Sequence, residues 1–462
     1  MVVLLKVIQV ILALSLLVAV HEFGHFIFAR IFKVRVERFY LFFNPKFSLV
    51  KVKRFGGKLH WRFFAGNQTP EEWQEHPEAT EFGIGWVPFG GYCAISGMVD
   101  ETTKSSDLPA QPQPWEFRTK KAWQRFFIMF GGVLFNFILA FGLYAAILDT
   151  WGESYLRNDD ATYGLAVNDL AYEIGFRDGD RILAFDGEPI DNVAALQADM
   201  VINKAREATV LRGGDTLLVS IDPAYLPASL KSRGMFEPGF PFVVENVSAD
   251  SPNREVIGAG DAIVAVEGEP MTMVQQIRRT FGKHPGEAIS VTLERDGARR
   301  EVALQLDSAG MAGVMLDGDL SHFFTLTVRE YNFFTAIPAG ATKLWKEIVS
   351  YVKQLGLIFS PKTKAYQSVG SFIAIGRIFP DTWDWYRFWT ITALISIMLG
   401  VMNLLPIPAL DGGHILFLII EMITGRKPSD KFLERAETVG IILLMALMVL
   451  AFGNDIRSLF IK

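Results

Sequence analysis

Four apolar runs constrain this chain more than anything else in it, each near the ~20 residues a helix needs to cross a bilayer. They are about Val2–Ala29, Trp123–Leu148, Trp385–Leu405 and Val439–Phe452, the last being short. Inside hydrocarbon every backbone N–H and C=O must find a partner within the protein, so such runs become helices. A signal peptide does not fit the first run. It continues through "AVHEFGHFIFAR" (19–30), and no small-x-small cleavage site precedes a polar start. The same stretch holds His21, Glu22 and His25. A charged group near the bilayer centre costs about 2.5–3.5 kcal/mol on insertion scales, so these three demand a chemical reason.

The loops orient the spans. Basic residues from Arg30 to Arg62, with Lys120 and Lys121, separate the first two runs, and Arg426, Lys427, Lys431 and Arg435 separate the last two. Positive residues near span ends stay in the cytoplasm. Residues 149–384 then lie on the far side of the membrane. A net charge of −5 suggests no nucleic-acid partner. Cys93 is the one cysteine, which excludes an internal disulfide and a cysteine metal cluster.

The far-side region contains a repeat. "GFRDGDRILAFDGEPI" (175–190) matches "VIGAGDAIVAVEGEPM" (256–271), pairing Gly179-Asp180 with Gly260-Asp261. Further on, Arg212-Gly213-Gly214 matches Arg295-Asp296-Gly297. Alternating apolar residues around Asp-Gly and Glu-Gly turns predict strand, turn, strand, helix and hairpin in each unit. The pattern resembles the PDZ domains of bacterial proteases, with units over 150–235 and 236–318. PDZ ligands would need a groove that offers N–H groups to a carboxylate. "RGMF" (233–236) and "AGVM" (312–315) are the candidate loops. The units can act by such binding, or as a size gate.

His-x-x-x-His on a helix puts His21 and His25 one turn apart on one face, where two imidazoles reach one metal ion. Glu22 is rotated by about 100° from His21. It flanks the metal rather than binding it and is placed to accept a proton from water. Catalytic zinc usually takes three protein ligands. The third run ends in "VMNLLPIPALDGGHILFLII" (401–420). Pro406 and Pro408 break the helix, and irregular backbone at membrane depth belongs inside protein or around a cavity. Asp411 is the carboxylate there. It competes with a role as N-cap of the following helix, and His414 is a rival ligand three residues on.

"HEFGH", "NLLPIPALDGG", "VPFGGY" (87–92) and a PDZ pair between the second and third runs together resemble the site-2 protease family of intramembrane zinc metalloproteases, in particular its bacterial two-PDZ branch. The resemblance covers nearly the whole chain. It implies that His21, His25 and Asp411 bind Zn2+ and that Glu22 is the catalytic carboxylate. It implies that Asn403, with Pro406 and Pro408 of its motif, helps hold the substrate strand. Gly90 and Gly91 of "VPFGGY" fall in the membrane-associated β-structure implied to pair with substrate. In the second run Gly132 and Asn136 fit the family pattern, but Val133 stands where the family commonly has Pro. Asn136 then serves either as interhelical glue or as a substrate contact.

The implied architecture is a polytopic α-helical membrane protein of about four spans, with a membrane-associated β-region in 31–122 and two PDZ-like α/β domains. An amphipathic segment, 331–359, lies on the membrane surface, within 319–384. The third span with its LDG motif covers 385–424, and the fourth covers 425–462. The implied setting is a bacterial inner membrane, with the site near the cytoplasm and the PDZ-like units in the periplasm. The implied substrates are single-span membrane proteins, such as anti-sigma factors in a stress response, or remnant signal peptides. Residues 64–80 look like an acidic insertion, expected to be a solvated excursion. The alternative from another class is an inert PDZ-bearing membrane scaffold with a structural metal. A complete Glu22 favours the enzyme, since a structural site needs no base.

Overall fold

The computed structural model describes residues 2–98, 111–232, 234–248, 250–358 and 372–460. It divides into two compact units. The first comprises Met1–Gly152, Glu330–Val352 and Gln367–Lys462, and the second comprises Glu153–Arg329 and Lys353–Tyr366.

Among the described residues, the first unit holds four helices long and apolar enough to cross a membrane. They are α1 (Val2–Ile31), a second at Ala122–Trp151, a third at Trp385–Leu404 and a fourth within Asp430–Phe460. The fourth begins well before the apolar run that marks it. Glycines set how closely these helices meet. A Cβ on Gly24 would come within 2.2 Å of the Gly131 carbonyl oxygen, so α1 and the Ala122–Trp151 helix touch backbone to backbone. Polar clamps add specificity. Ser396 Oγ donates to the Asn136 carbonyl at 2.7 Å, and Arg125 pairs with Glu421 of the 14-residue helix Asp411–Thr424.

Between the first two helices lies a five-stranded sheet of β1 (Val36–Phe43), β2 (Phe47–Phe55), β3 (Lys58–Gly66), β4 (Glu81–Ile84) and β5 (Val87–Ile95). Its order is β3-β2-β4-β1-β5, so β5 is an edge strand. Register sorts its two faces cleanly. Trp61, Val52, Phe82, Phe39 and Cys93 form one row, and Phe63, Val50, Ile84, Leu41 and Gly91 form the next. That apolar face rests on α1, where the Phe26 ring meets Phe39 and Phe82 at 5.6 Å each. At its β3 end Leu59, Trp61 and Phe63 stay more than half exposed.

The opposite face carries Lys51, Lys53, Arg38, Tyr40, Glu81 and Tyr92. Here the expectation of a solvated excursion over 64–80 holds only in part, for most of its residues are exposed but its centre is anchored. The segment folds onto this face and buries Trp73 completely. The reason is hydrogen bonding. Buried Lys51 donates to the Gly66 and Gln68 carbonyls at 2.7 and 2.6 Å, and buried Lys53 donates to the Trp73 carbonyl at 2.8 Å. Buried ammonium groups need such acceptors.

The segment read as amphipathic is helical over Phe333–Ile358. Its apolar Trp345 and Val352 are exposed at 67% and 51%, which suits a helix lying along an apolar surface.

The second unit contains the repeat. Strands Arg181–Phe185, Glu207–Arg212 and Asp215–Ser220 with helix Leu196–Ile202 correspond to Ala262–Val266, Ala288–Arg295 and Ala298–Gln305 with helix Val274–Phe281. Each predicted turn has two positive-φ centres, Asp186-Gly187 (49°, 83°) and Glu267-Gly268 (50°, 80°), as a type I′ turn requires. The first repeat closes with Phe236–Pro238, which pairs with Leu165–Val167, and the second with Val314–Leu316, which pairs with Phe242–Val247. Met235 beside the first closing strand is fully buried in that repeat's core. A charge there would break the core before it tested any groove, and Arg233 of that loop lies outside the described residues.

The matched Asp and the matched Arg within each repeat prove to be partners. Asp180 is fully buried and takes a bidentate bond from Arg212 at 2.7 and 2.8 Å. Asp261 is equally buried and meets Arg295 and Arg300 at 2.8 and 2.9 Å. Burial pushes the Asp261 carboxyl up, but the Gly258 N–H and the two guanidiniums outweigh it and hold the group below the usual range. A depressed carboxyl stabilises the fold at neutral pH, and that contribution is lost as pH falls through the folded-state value. Asp261→Asn should therefore destabilise the second repeat by about 1–3 kcal/mol at neutral pH. The gap from wild type should narrow on acidification. Hydrogen exchange over 242–316 in the full chain reads both effects.

Candidate active site

His21 and His25 lie on one face of α1, and Asp411 is the first residue of the Asp411–Thr424 helix. The helix Trp385–Leu404 stops at the cap Leu405, and the chain runs without helical bonds through Pro406 and Pro408 before Asp411 restarts it. Gly412 and Gly413 permit the reversal. A Cβ on Gly412 would lie 2.0 Å from the Leu405 carbonyl oxygen. Asp411 thus stands at a helix N-terminus, where the backbone dipole favours a carboxylate.

The three side chains converge. Asp411 Oδ2 is 3.2 Å from His21 Nε2 and 3.4 Å from His25 Nε2, and the two Nε2 atoms are 3.3 Å apart. Asp411 Oδ2 is buried without a hydrogen-bond partner, which an acceptor atom tolerates poorly. Ligands about 2.0–2.1 Å from a tetrahedral metal stand roughly 3.3–3.4 Å from one another, so this donor triangle fits zinc. Among the described residues, this is the group of His, Cys and carboxylate side chains able to hold a metal ion.

Hydrogen bonds turn the rings. His25 Nδ1 meets the Ile128 carbonyl at 2.9 Å. Nδ1 therefore carries the proton and leaves Nε2 as the free donor, the usual second-shell arrangement of a ligand histidine. His21 Nδ1 lies 3.1 Å from the Asn136 amide, and Asn136 Oδ1 is buried without a partner. Rotating that amide by 180° gives the orphaned oxygen the His21 Nδ1–H as donor, an assignment the hydrogen-bond network favours. Asn136 thus faces the His21 ring, and its backbone carbonyl is taken by Ser396. The Asn403 amide nitrogen lies 3.4 Å from His21 Nε2.

A cavity of about 250 Å3 opens beside the triad, lined by Glu22, Asp411 and His414 and by β5 from Gly91 to Ile95. His414 shares the cavity but lies outside the ligand triangle. The Cys93 N–H on β5 points to the Glu22 carboxylate. The glycines of "VPFGGY" let β5 cross the helix closely. A Cβ on Gly91 would meet Val18 at 2.9 Å, and Gly90 has φ +147° with the Phe43 ring 2.6 Å from any Cβ. Gly90, Pro406 and Pro408 shape the backbone without lining the cavity.

Sequence reasoning missed Glu437, a buried carboxylate in the cavity wall. It comes from the last helix, which packs so tightly on the Pro408 carbonyl that a Cβ on Gly440 would lie 1.7 Å away. Gly440 three residues after Glu437, on the same helical face, was the available signal.

A model of peptidase family M50 matches residues 9–67 and 68–447. The regulator of sigma-E protease RseP of Escherichia coli K12 is 30% identical over 477 residues, covering 97% of this chain and 98% of that protein. A putative zinc metalloprotease of Ralstonia nicotianae is 27% identical over 485 residues, covering 99% of each chain. One of Vibrio cholerae is 26% identical, covering 97% and 98%.

Gly132 is the tightest point of the donor set. A Cβ there would lie 2.4 Å from His25 Nε2 and 2.6 Å from His21 Cε1. Gly132→Ala should displace both rings and cut the zinc content of purified protein at least about tenfold at limiting metal, in line with second-shell effects of about 10–100-fold. The same change at Gly142, whose Cβ meets open space, should leave zinc intact.

Proposed function

The chain belongs to peptidase family M50, the site-2 protease family, and is a zinc metalloprotease; from that we propose that it cleaves single-span membrane proteins within the bilayer, using His21, His25 and Asp411 as zinc ligands and Glu22 as general base. The observation that carries this reading is the donor triangle, 3.2–3.4 Å on each side, with a carboxylate and the edge strand β5 beside it.

Zinc held there would lower the pKa of water and polarise the scissile carbonyl. Glu22 accepts the proton of the attacking water and returns it to the leaving amine. The Asn403 amide donates a hydrogen bond to the carbonyl oxygen as negative charge develops on it, the role for which a fixed neutral donor suits a dry site. A helical substrate hides its peptide bonds, so it unwinds before reaction. The outer edge of β5 then holds it by strand addition, which supplies main-chain hydrogen bonds. His25 and His21 keep their orientation through the Ile128 carbonyl and Asn136.

In this reading the basic loops face the cytoplasm of a bacterium, and the PDZ-like repeats lie in the periplasm. The substrates include anti-sigma factors and remnant signal peptides. The repeats restrict access by bulk, admitting trimmed substrates.

Glu22→Gln should bind zinc as wild type does and fold normally, since the carboxylate is no ligand. Its cleavage of a single-span peptide in proteoliposomes should fall by about 10²–10⁴-fold, the usual worth of a general base. Cleavage within tenfold of wild type would remove Glu22 from the role. A chelator should abolish cleavage by the wild type, and added zinc should restore it.

A further inference from the structure

The polar face of the sheet carries a second, larger cavity. It measures about 740 Å3 and lies between that face and residues 67–80. Three cations line it: Arg35, Arg38 and Lys53. One carboxylate, Glu37, lines it too. Each cation is engaged with a neutral group. Lys53 is 4% exposed and donates to the Trp73 carbonyl. Arg38 donates to Thr69 Oγ1 at 2.8 Å, and the Arg35 guanidinium lies 4.4 Å from the Trp115 ring centroid. Among the described residues none of the three forms an ion pair. Lys51 on the same face differs, for it has Glu81 at 3.8 Å. Burial holds the Lys53 ammonium below its usual pKa, and the more distant charges of Glu81, Glu78 and Glu37 only partly offset it. Carboxylates stand near these cations but none pairs with them directly, and an incoming anion would supply that contact.

The cavity shares a wall with the site. Phe43, Tyr92 and Ala94 line both spaces, one on each side of β5. Along β5, Gly91 and Cys93 face the triad side, whereas Tyr92 and Ala94 share the face of Lys51, Lys53, Tyr40 and Arg38. A strand added to the β5 edge obeys the same alternation. If one of its residues faces Glu22, its neighbour faces the cationic cavity. Pockets for alternate side chains are how strand addition gains sequence specificity.

We propose that this cavity is a specificity subsite that takes an acidic side chain of the substrate strand, one residue out of phase with those facing the triad. The proposal rests on strand addition at β5 within a peptidase. The folded insertion is then half of the subsite, with Trp73 and the 67–80 backbone as its outer wall.

The test uses the full chain in proteoliposomes and a single-span peptide. Asp, Ala or Lys is placed in turn at each of four positions on either side of the cut. One position should show Asp favoured over Ala by about tenfold or more in kcat/KM, with Lys worst, since a charge-assisted contact is roughly twice as strong as a neutral one. Arg35→Glu should reverse that preference at the same position, and Lys53→Met should flatten it. Arg35 is part exposed, so it carries the test if Lys53→Met fails to fold. Cleavage with no charge preference anywhere overturns the subsite, as does an Asp preference that survives Arg35→Glu. Rates that follow phosphatidylglycerol content and ignore the peptide's charge would mean that the cavity reads lipid phosphate, and would overturn it too. Failure to cleave any peptide, the Ala series included, refutes the peptidase reading itself.

Discussion

Two helices must touch at glycine for the site to exist. At Gly24, Gly131 and Gly132 the first and second apolar helices meet backbone to backbone, and both imidazoles occupy the space a Cβ on Gly132 would need. Lipid offers no hydrophobic drive for such contact, so close packing and interhelical hydrogen bonds must supply it. Ser396 on the third helix and Asn136 on the second meet one turn beyond Gly132. The same Asn136 meets His21. The contacts that join the helices therefore also aim the His21 ring.

The second constraint is backbone that cannot be helical. Pro406 and Pro408 end one helix, Asp411 begins the next, and the last helix closes over the gap through Gly440. Irregular backbone at this depth persists because it is enclosed by protein. It delivers Asp411 to the two histidines and leaves the cavity that Glu22 and β5 border. The proline break and the placement of Asp411 are thus one feature.

Much of this was legible in the sequence because the signals are local. The spacing of His21 and His25 sets a shared face, and Pro406–Pro408 marks where a helix stops. The repeat announced its turns through Asp-Gly and Glu-Gly. Nonlocal pairings were less visible. The matched Arg of the repeat could be aligned, but its bond to the buried Asp180 or Asp261 required the fold. Asn136 read as glue or substrate contact because its partner, His21, is 115 residues away. Residues 64–80 read as solvated because their glutamates dominate, although Trp73 and the lysines of β2 decide their place. Glu437 fell just outside an apolar run and was passed over.

X-ray absorption at the zinc edge of the purified full chain tests the central claim most directly. The account predicts one zinc with two imidazoles and one carboxylate oxygen from the protein, and loss of the oxygen ligand or of the metal in Asp411→Ala. Three imidazoles, with His414 in place of Asp411, would contradict it, as would a preparation that binds no zinc yet cleaves.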